Sequence, residues 1–398
     1  MKKYEEILRR AETLRSEIVG LRRHFHQHPE VGLQEYETVK KVESVLKGLG
    51  LETRIFAKGT GVCGYLRGAK GKKTVALRAD MDALPLQEGA EVSYRSEVTG
   101  VMHGCGHDAH TAMLLGAAMI LSETVADLSG TVVFLFQPAE ETGMGAKEMV
   151  AEGALEGVDG IFALHVSSTH DSGTIAYRSG PIMSAGDFFD VTIHGKGGHA
   201  GTPHLAIDPV TMAAMAITSV QTVVSREIDP VESGVISICE LEAGTGAYNV
   251  IPDSASFGGT IRSLTPELRD YLPARMKEVV EGVVSGIRGR AEFNLMPRFP
   301  LTVNDEGMTA FVVGVARELV GEGRVREIKP LLGSEDFSFY LQKIPGCFVY
   351  LGTRNEAKGI VYPHHHPKFD IDEEALTTGT ALNVAIAMEY LRQRKDRV

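Results

Sequence analysis

Strand-like runs alternate with helix-length segments through the first 166 residues, and this alternation restricts the fold more than any other feature of the chain. Residues 62–66, 74–79, 131–137 and 159–166 read as strands, with helical stretches at 110–122 and 146–153 between the last three. Strands separated by helices return in the same direction, which predicts an α/β fold with a largely parallel sheet. Residues 131–136 are apolar on both faces, as a central buried strand requires. Upstream, Leu8, Leu14, Ile18 and Leu21 recur at helical spacing, predicting a helix over 4–28 that stops near Pro29. A second helix is expected over 37–49.

After residue 180 the pattern changes. Residues 187–195 alternate as a strand, 208–226 form a helical stretch, and 234–242 and 255–263 are strands. A helix over 266–284 opens at Thr265, an N-cap residue type, and 291–297 is a strand. The order β-α-β-β-α-β is the ferredoxin-like arrangement. Then helix 305–320, strand 347–351 and helix 373–392 resume the first pattern. The reading is a small domain at 185–298 inserted into a larger domain made of 1–184 and 299–398.

Composition narrows the function classes. The 398 residues carry a formal charge of −11, which excludes an electrostatic nucleic-acid binder, since that needs a basic stripe. The N-terminus shows no apolar signal-peptide core, and no window holds the 18 consecutive apolar residues of a membrane span. The four cysteines, Cys63, Cys105, Cys239 and Cys347, are widely spaced and read as reduced, so a cytoplasmic protein is expected. Glycine is abundant, 44 residues against a typical share of about 7%.

Metal-capable residues fall at the expected carboxyl ends of the strands, where open α/β sheets bind ligands. Asp80 and Asp82 follow strand 74–79, Glu140 and Glu141 follow strand 131–137, and His165 closes strand 159–166. The loop His103, Cys105, His107, Asp108, His110 mixes thiol and imidazole, a donor set for transition metals, although a polar loop capping a helix would look the same. Adjacent residues in extended backbone point in opposite directions. One of Glu140 and Glu141 can therefore hold a metal while the other serves as a general base, unless both merely face a helix dipole. His364, His365 and His366 lie in a loop between Pro363 and Pro367. In the insertion, His199 and His204 border a run with Gly195, Gly197, Gly198 and Gly201, and Asn249 sits in a second glycine-containing loop. Neither run matches a dinucleotide-binding fingerprint.

Residues 78–85, 103–110, 137–141, 197–200 and 367–370 occur in an order that resembles the N-acyl-amino-acid amidohydrolases, the group of aminoacylase-like enzymes, hippurate hydrolase and plant indole-acetyl-amino-acid hydrolases, within a wider clan of dinuclear metallo-carboxypeptidases and deacylases. The likeness runs over about residues 20–390. It implies two divalent ions (Zn, Mn, Co or Ni) on Cys105, His107, Glu141, His165 and His365. His365 is chosen over His364 and His366 because Pro367 follows it by two. It implies Asp80 and Asp82 as supports behind the ligands, and Glu140 as general base on a water whose pKa the ions lower. His199 would stabilise the oxyanion, reaching in from the partner of a homodimer. Asn249 and Arg262 are candidates for the substrate α-carboxylate, with a strand-end salt bridge the alternative for Arg262. The insertion would be lid and dimerisation domain. Substrates are expected to be N-acyl amino acids. Alternatives are a carboxypeptidase on short or blocked peptides, an N-acetyl-diaminopimelate deacetylase, a catalytically inactive binding relative or a scaffold.

Overall fold

The doubly apolar run becomes strand β4 (Gly130–Gln137), buried along nearly its whole length with a neighbour on each side. In this computed structural model, which describes residues 4–393, the other strands of its sheet are β1 (Glu52–Phe56), β2 (Gly61–Arg67), β3 (Lys73–Asp80), β5 (Gly160–Asp171), β6 (Ile175–Tyr177), β15 (Val325–Glu327) and β16 (Gly346–Arg354). Their order is β1-β2-β4-β3-β5-β16-β6-β15. The inner four, β4-β3-β5-β16, are parallel, and β2 and β6 join them antiparallel. Parallel register aligns the strand ends: Asp80 lies opposite Gln137, and His165 opposite Tyr350.

Helices α1 (Glu5–Thr13), α2 (Arg15–Gln27), α3 (Tyr36–Gly48), α4 (His107–Glu123), α5 (Gly145–Ala151), α8 (Glu306–Val320), α9 (Ser338–Leu341) and α10 (Ala375–Arg392) belong to the same compact unit. Helix α4 is buried from His107 through Leu121 and packs against α2, α10 and β3, the behaviour of a helix that is apolar all round. The single helix expected over 4–28 is two, broken at Leu14; no Gly or Pro marks the break, so periodicity runs straight through it. Strand β1 was not anticipated, because it is a largely exposed edge strand without apolar alternation.

The second compact unit comprises Met183–Thr302 and Pro330–Ser334. Its elements are β8 (Ala185–His194), α6 (Pro209–Thr222), β10 (Gly234–Ala243), β12 (Ser254–Ser263), α7 (Pro266–Gly286) and β13 (Arg290–Phe299). The sheet order β10-β12-β8-β13, antiparallel throughout, is that of the β-α-β-β-α-β arrangement. Phe189, Val191 and Ile193 of β8 share a core with Met212 and Val220 of α6 and Leu272, Met276 and Val280 of α7. Both helices are capped by side chains: Asp208 accepts from the Val210 N–H at 2.9 Å, and Thr265 from the Leu268 N–H at 3.2 Å. A two-stranded ribbon joins β9 (Gly198–His199) to β11 (Val250–Ile251). Short strands β7 (Gly180–Met183) and β14 (Thr302–Asn304) fall in sequence where the chain passes between units. Among the described residues no helix is long and apolar enough to cross a membrane.

Candidate metal centre

Four separate segments deliver metal-capable atoms to one place at the carboxyl ends of β3, β4 and β5. Gly106, at φ +89°, turns the chain into α4; a Cβ there would meet Val166 Cγ2 at 2.3 Å, so only glycine lets Cys105 and His107 approach β5 this closely. Ligand-capable atoms of Cys105, His107 and Glu141 all lie within 4.8 Å of one another. Cys105 Sγ is 3.7 Å from His165 Nε2, and His365 Nε2 is 3.3 Å from Glu141 Oε1.

Hydrogen bonds behind these atoms set which nitrogen is free. His107 Nδ1–H donates to the Asp82 carbonyl at 2.8 Å, and His165 Nδ1–H to the Val166 carbonyl at 2.7 Å. Each ring therefore turns its Nε2 lone pair inward, the arrangement metal-binding histidines use. Among the described residues His107 Nε2 is buried without a hydrogen-bond partner, a costly condition that a cation relieves. A thiolate, imidazoles and a carboxylate suit a divalent transition metal, so the residues fit one.

Burial and Glu141 would raise the Cys105 thiol, but His165 and His107 outweigh them and hold it well below its ordinary value. Cys105 and then Glu141 raise His365 to about 10.

The three consecutive histidines separate by geometry. His365 takes a left-handed backbone, φ +62°, and reaches Glu141. His364 is committed through Nε2, which accepts from the Ser168 N–H at 3.2 Å. His366 stacks on Tyr362 and accepts from the Lys368 N–H. His110, metal-capable in sequence, is spent on structure: Nδ1–H donates to Asp80, and Nε2 accepts from the Val166 N–H. Burial pushes His103 down to about 3, leaving it neutral.

Asp82 accepts from the N–H groups of both Glu140 and Glu141, at 3.0 Å each. Asp80 pairs with Arg78 at 2.7 Å and sits 3.6 Å from His107 Nε2. Glu140 Oε2 is 4.0 Å from His107 Nε2, and Glu140 shares a buried carboxylate cluster with Glu335 and Asp336. Burial, then Glu335, Glu141 and Asp336, push Glu140 well above the ordinary carboxylate range. The buried guanidinium of Arg78 bonds Gln137, Asp80, Glu335 and Asp336. Sequence reasoning missed Glu335 and Asp336, which lie in a loop without periodicity. Arg78 carried a signal, since it shares a face of β3 with Asp80 at period two.

In the second unit, His199 is exposed on the ribbon, and its Nδ1 accepts from the Gly201 N–H at 2.9 Å. That leaves Nε2 carrying the proton as an outward donor. Asn249 is exposed beside it, its carbonyl accepting from the Ala200 N–H. Arg262 stands opposite Gly186 in the sheet and donates to Ser334 Oγ at 2.6 Å. A Cβ at 186 would meet its guanidinium at 2.3 Å. The alternative of a strand-end salt bridge is not made: no carboxylate pairs with Arg262 among the described residues.

Comparison with known proteins agrees with this chemistry. The model of peptidase family M20/M25/M40 matches residues 76–389. IAA-amino acid hydrolase ILR1-like 4 of Arabidopsis thaliana is 44% identical over 382 residues, 95% of this chain and 86% of the relative. Thermostable carboxypeptidase 2 of Saccharolobus solfataricus is 43% identical over 377 residues, 94% of this chain and 95% of the relative. Among solved structures, a dinuclear metal binding peptidase of the M20 family from Bacillus subtilis superposes with a TM-score of 0.84 at 36% identity, covering 96% of this chain and 99% of that one.

Proposed function

The chain belongs to peptidase family M20/M25/M40 and is a hydrolase, and from that premise we propose that it cleaves the amide bond of N-acyl amino acids with two divalent ions at the strand ends. The observation that carries this reading is the convergence of Cys105, His107, Glu141, His165 and His365 beside the buried carboxyl of Glu140. The five would hold Zn, Mn, Co or Ni. When bound, the ions supply Lewis acidity that lowers the pKa of a water and polarises the amide carbonyl.

This chain's own groups do the rest. Glu140 takes a proton from the attacking water and returns it to the leaving amine. Its crowding by other carboxylates supports that role, because a base must also hold the proton it accepts. Asp80 and Asp82 orient the ligands and the Glu140–Glu141 turn. The outward Nε2–H of His199 is the donor for the developing oxyanion. Arg262, which forms no ion pair among the described residues, and Asn249 would receive the substrate carboxylate.

The second unit would serve as lid and dimerisation domain of a homodimer, a reading supported by exposed apolar Leu205, Leu241, Tyr248 and Val250 on that unit. Four free cysteines fit a reducing, cytoplasmic setting. The likeness to a carboxypeptidase at nearly equal identity supports short peptides as the second substrate class.

The test is a panel of N-acetyl, N-benzoyl and N-carbobenzoxy amino acids, N-acetyl-diaminopimelate and dipeptides with metal-replete protein. Acyl amino acids should be cleaved fastest, with activity lost to a chelator and restored by Mn, Zn or Co. Chelator-insensitive cleavage, or none of any acyl amino acid, contradicts the reading.

A further inference from the structure

The pair Glu140–Glu141 leaves β4 through a turn that its sequence does not favour. Ala139 is fully buried at φ +52°, a left-handed conformation that L-residues disfavour. Its carbonyl accepts from the N–H groups of Met144 and Gly145, both at 3.3 Å. Three successive N–H groups of this turn each meet a carboxylate oxygen. Two go to Asp82; the first, from Ala139, goes to Glu35 Oε1 at 2.8 Å.

Glu35 comes from a distant part of the chain, at the start of α3. It is wholly buried, yet it does not cap its own helix and forms no ion pair among the described residues. Its Oε2 has no hydrogen-bond partner. The loop that carries it is moulded to the turn: a Cβ on Gly32 would meet Ala139 Cα at 3.1 Å and Cβ at 3.2 Å. The Ala83 N–H, bonded to the Glu30 carbonyl at 2.8 Å, ties that loop to the end of β3. The well-formed bond of this buried carboxyl goes to the N–H of the left-handed alanine, while the Glu35 and Leu33 N–H groups of its own loop also favour its charged form.

We propose that Glu35 is a positioning residue whose Oε1 fixes the Ala139 N–H, and with it the left-handed turn that aims the Glu140 and Glu141 carboxylates. The bond needs an acceptor and not a charge. Burial, then Asp82, raise the Glu35 carboxyl to about 8, so a neutral amide is a fair replacement. Glycine at 139 adopts φ +52° freely and removes the need for the clamp. The inference rests on the reading of Glu140 as base and Glu141 as ligand.

The test uses the full chain as E35A, E35Q and E35A/A139G, with kcat and KM on an N-acetyl amino acid and, independently of activity, Co²⁺ affinity from visible absorption. E35A should lose about 10–100-fold in kcat and in Co²⁺ affinity, with KM little changed. E35Q should stay close to wild type, and A139G should restore most of what E35A loses. Wild-type behaviour of E35A, equal loss in E35Q, or no recovery in the double variant overturns the proposal. Should E35A fail to fold, E35Q and the double variant still decide it. Failure of the underlying reading is distinguishable, because E140Q would then keep its activity, whereas failure of the clamp alone leaves E140Q inactive.

Discussion

Cys105 and the other thiols of this chain differ only in surroundings. Cys105 has two imidazoles beside it, which hold its thiol well below the ordinary value. Burial pushes Cys347 up to about 12 and raises Cys63 as well, which keeps both protonated and unfit as ligands. Cys105→Ala should therefore lower metal content and rate together, by more than the ~10–100-fold typical of a lost supporting residue. Cys63→Ala, Cys239→Ala and Cys347→Ala should leave metal content intact. Elemental analysis of the four variants checks this. Likewise His365→Ala should lose metal and His366→Ala should not. Titration adds a pH prediction. In the metal-free site His365 holds its proton up to about 10, so an entering ion must displace it. Metal affinity should weaken as pH falls, and calorimetry in buffers of different ionisation enthalpy should show protons released on binding.

At the scale of elements, the start of α4, which carries His107, is held by a buried ion network. Arg22 of α2 bonds Asp108 of α4 and Asp370 at 2.8 Å each, and Glu373 at 3.2 Å; His26 bridges Asp108 and Glu88. Arg22→Met leaves Asp108 buried without its cation, which should cost about 3–5 kcal/mol and lower Tm accordingly. Burial alone would raise the Asp108 pKa, but Arg22 and His26 outweigh it and hold the group far below its ordinary value. A depressed folded-state pKa contributes stability that is complete above the unfolded value of about 3.9 and lost as pH falls below it. Metal-free protein should accordingly lose stability progressively below about pH 4 in denaturant titrations. Much of this level was legible beforehand. Strands β3, β4 and β5 announce themselves by apolar runs, and their ends mark where Asp80, Glu141 and His165 meet. The network was not legible, because Arg22, Asp108 and Asp370 are joined by tertiary contact with no local period. Glu335, Asp336 and Glu35 were hidden for the same reason. The preference for His365 over His364 and His366 came from the resemblance, through Pro367 two residues on; the backbone angle and stacking that distinguish the three are not encoded in composition.

For the whole molecule, the change of period near residue 180 separated a β-α-β-β-α-β segment from the parallel sheet around it, since strand spacing and helix length are local properties. The return of residues 330–334 to the second unit was not foreseeable, because a short loop carries no sign of which core it joins. The excess glycine proves partly a matter of close approach, as Gly106 and Gly186 show. The proposed hydrolysis stands on one carboxyl, Glu140, acting as base among ligands that do not need it. Glu140→Gln in metal-replete protein measures that most directly, with rate and metal stoichiometry determined on the same sample. Two ions retained per chain, with a rate loss of about 10²–10⁴-fold, is the expected result; wild-type rate with both ions bound would contradict the account.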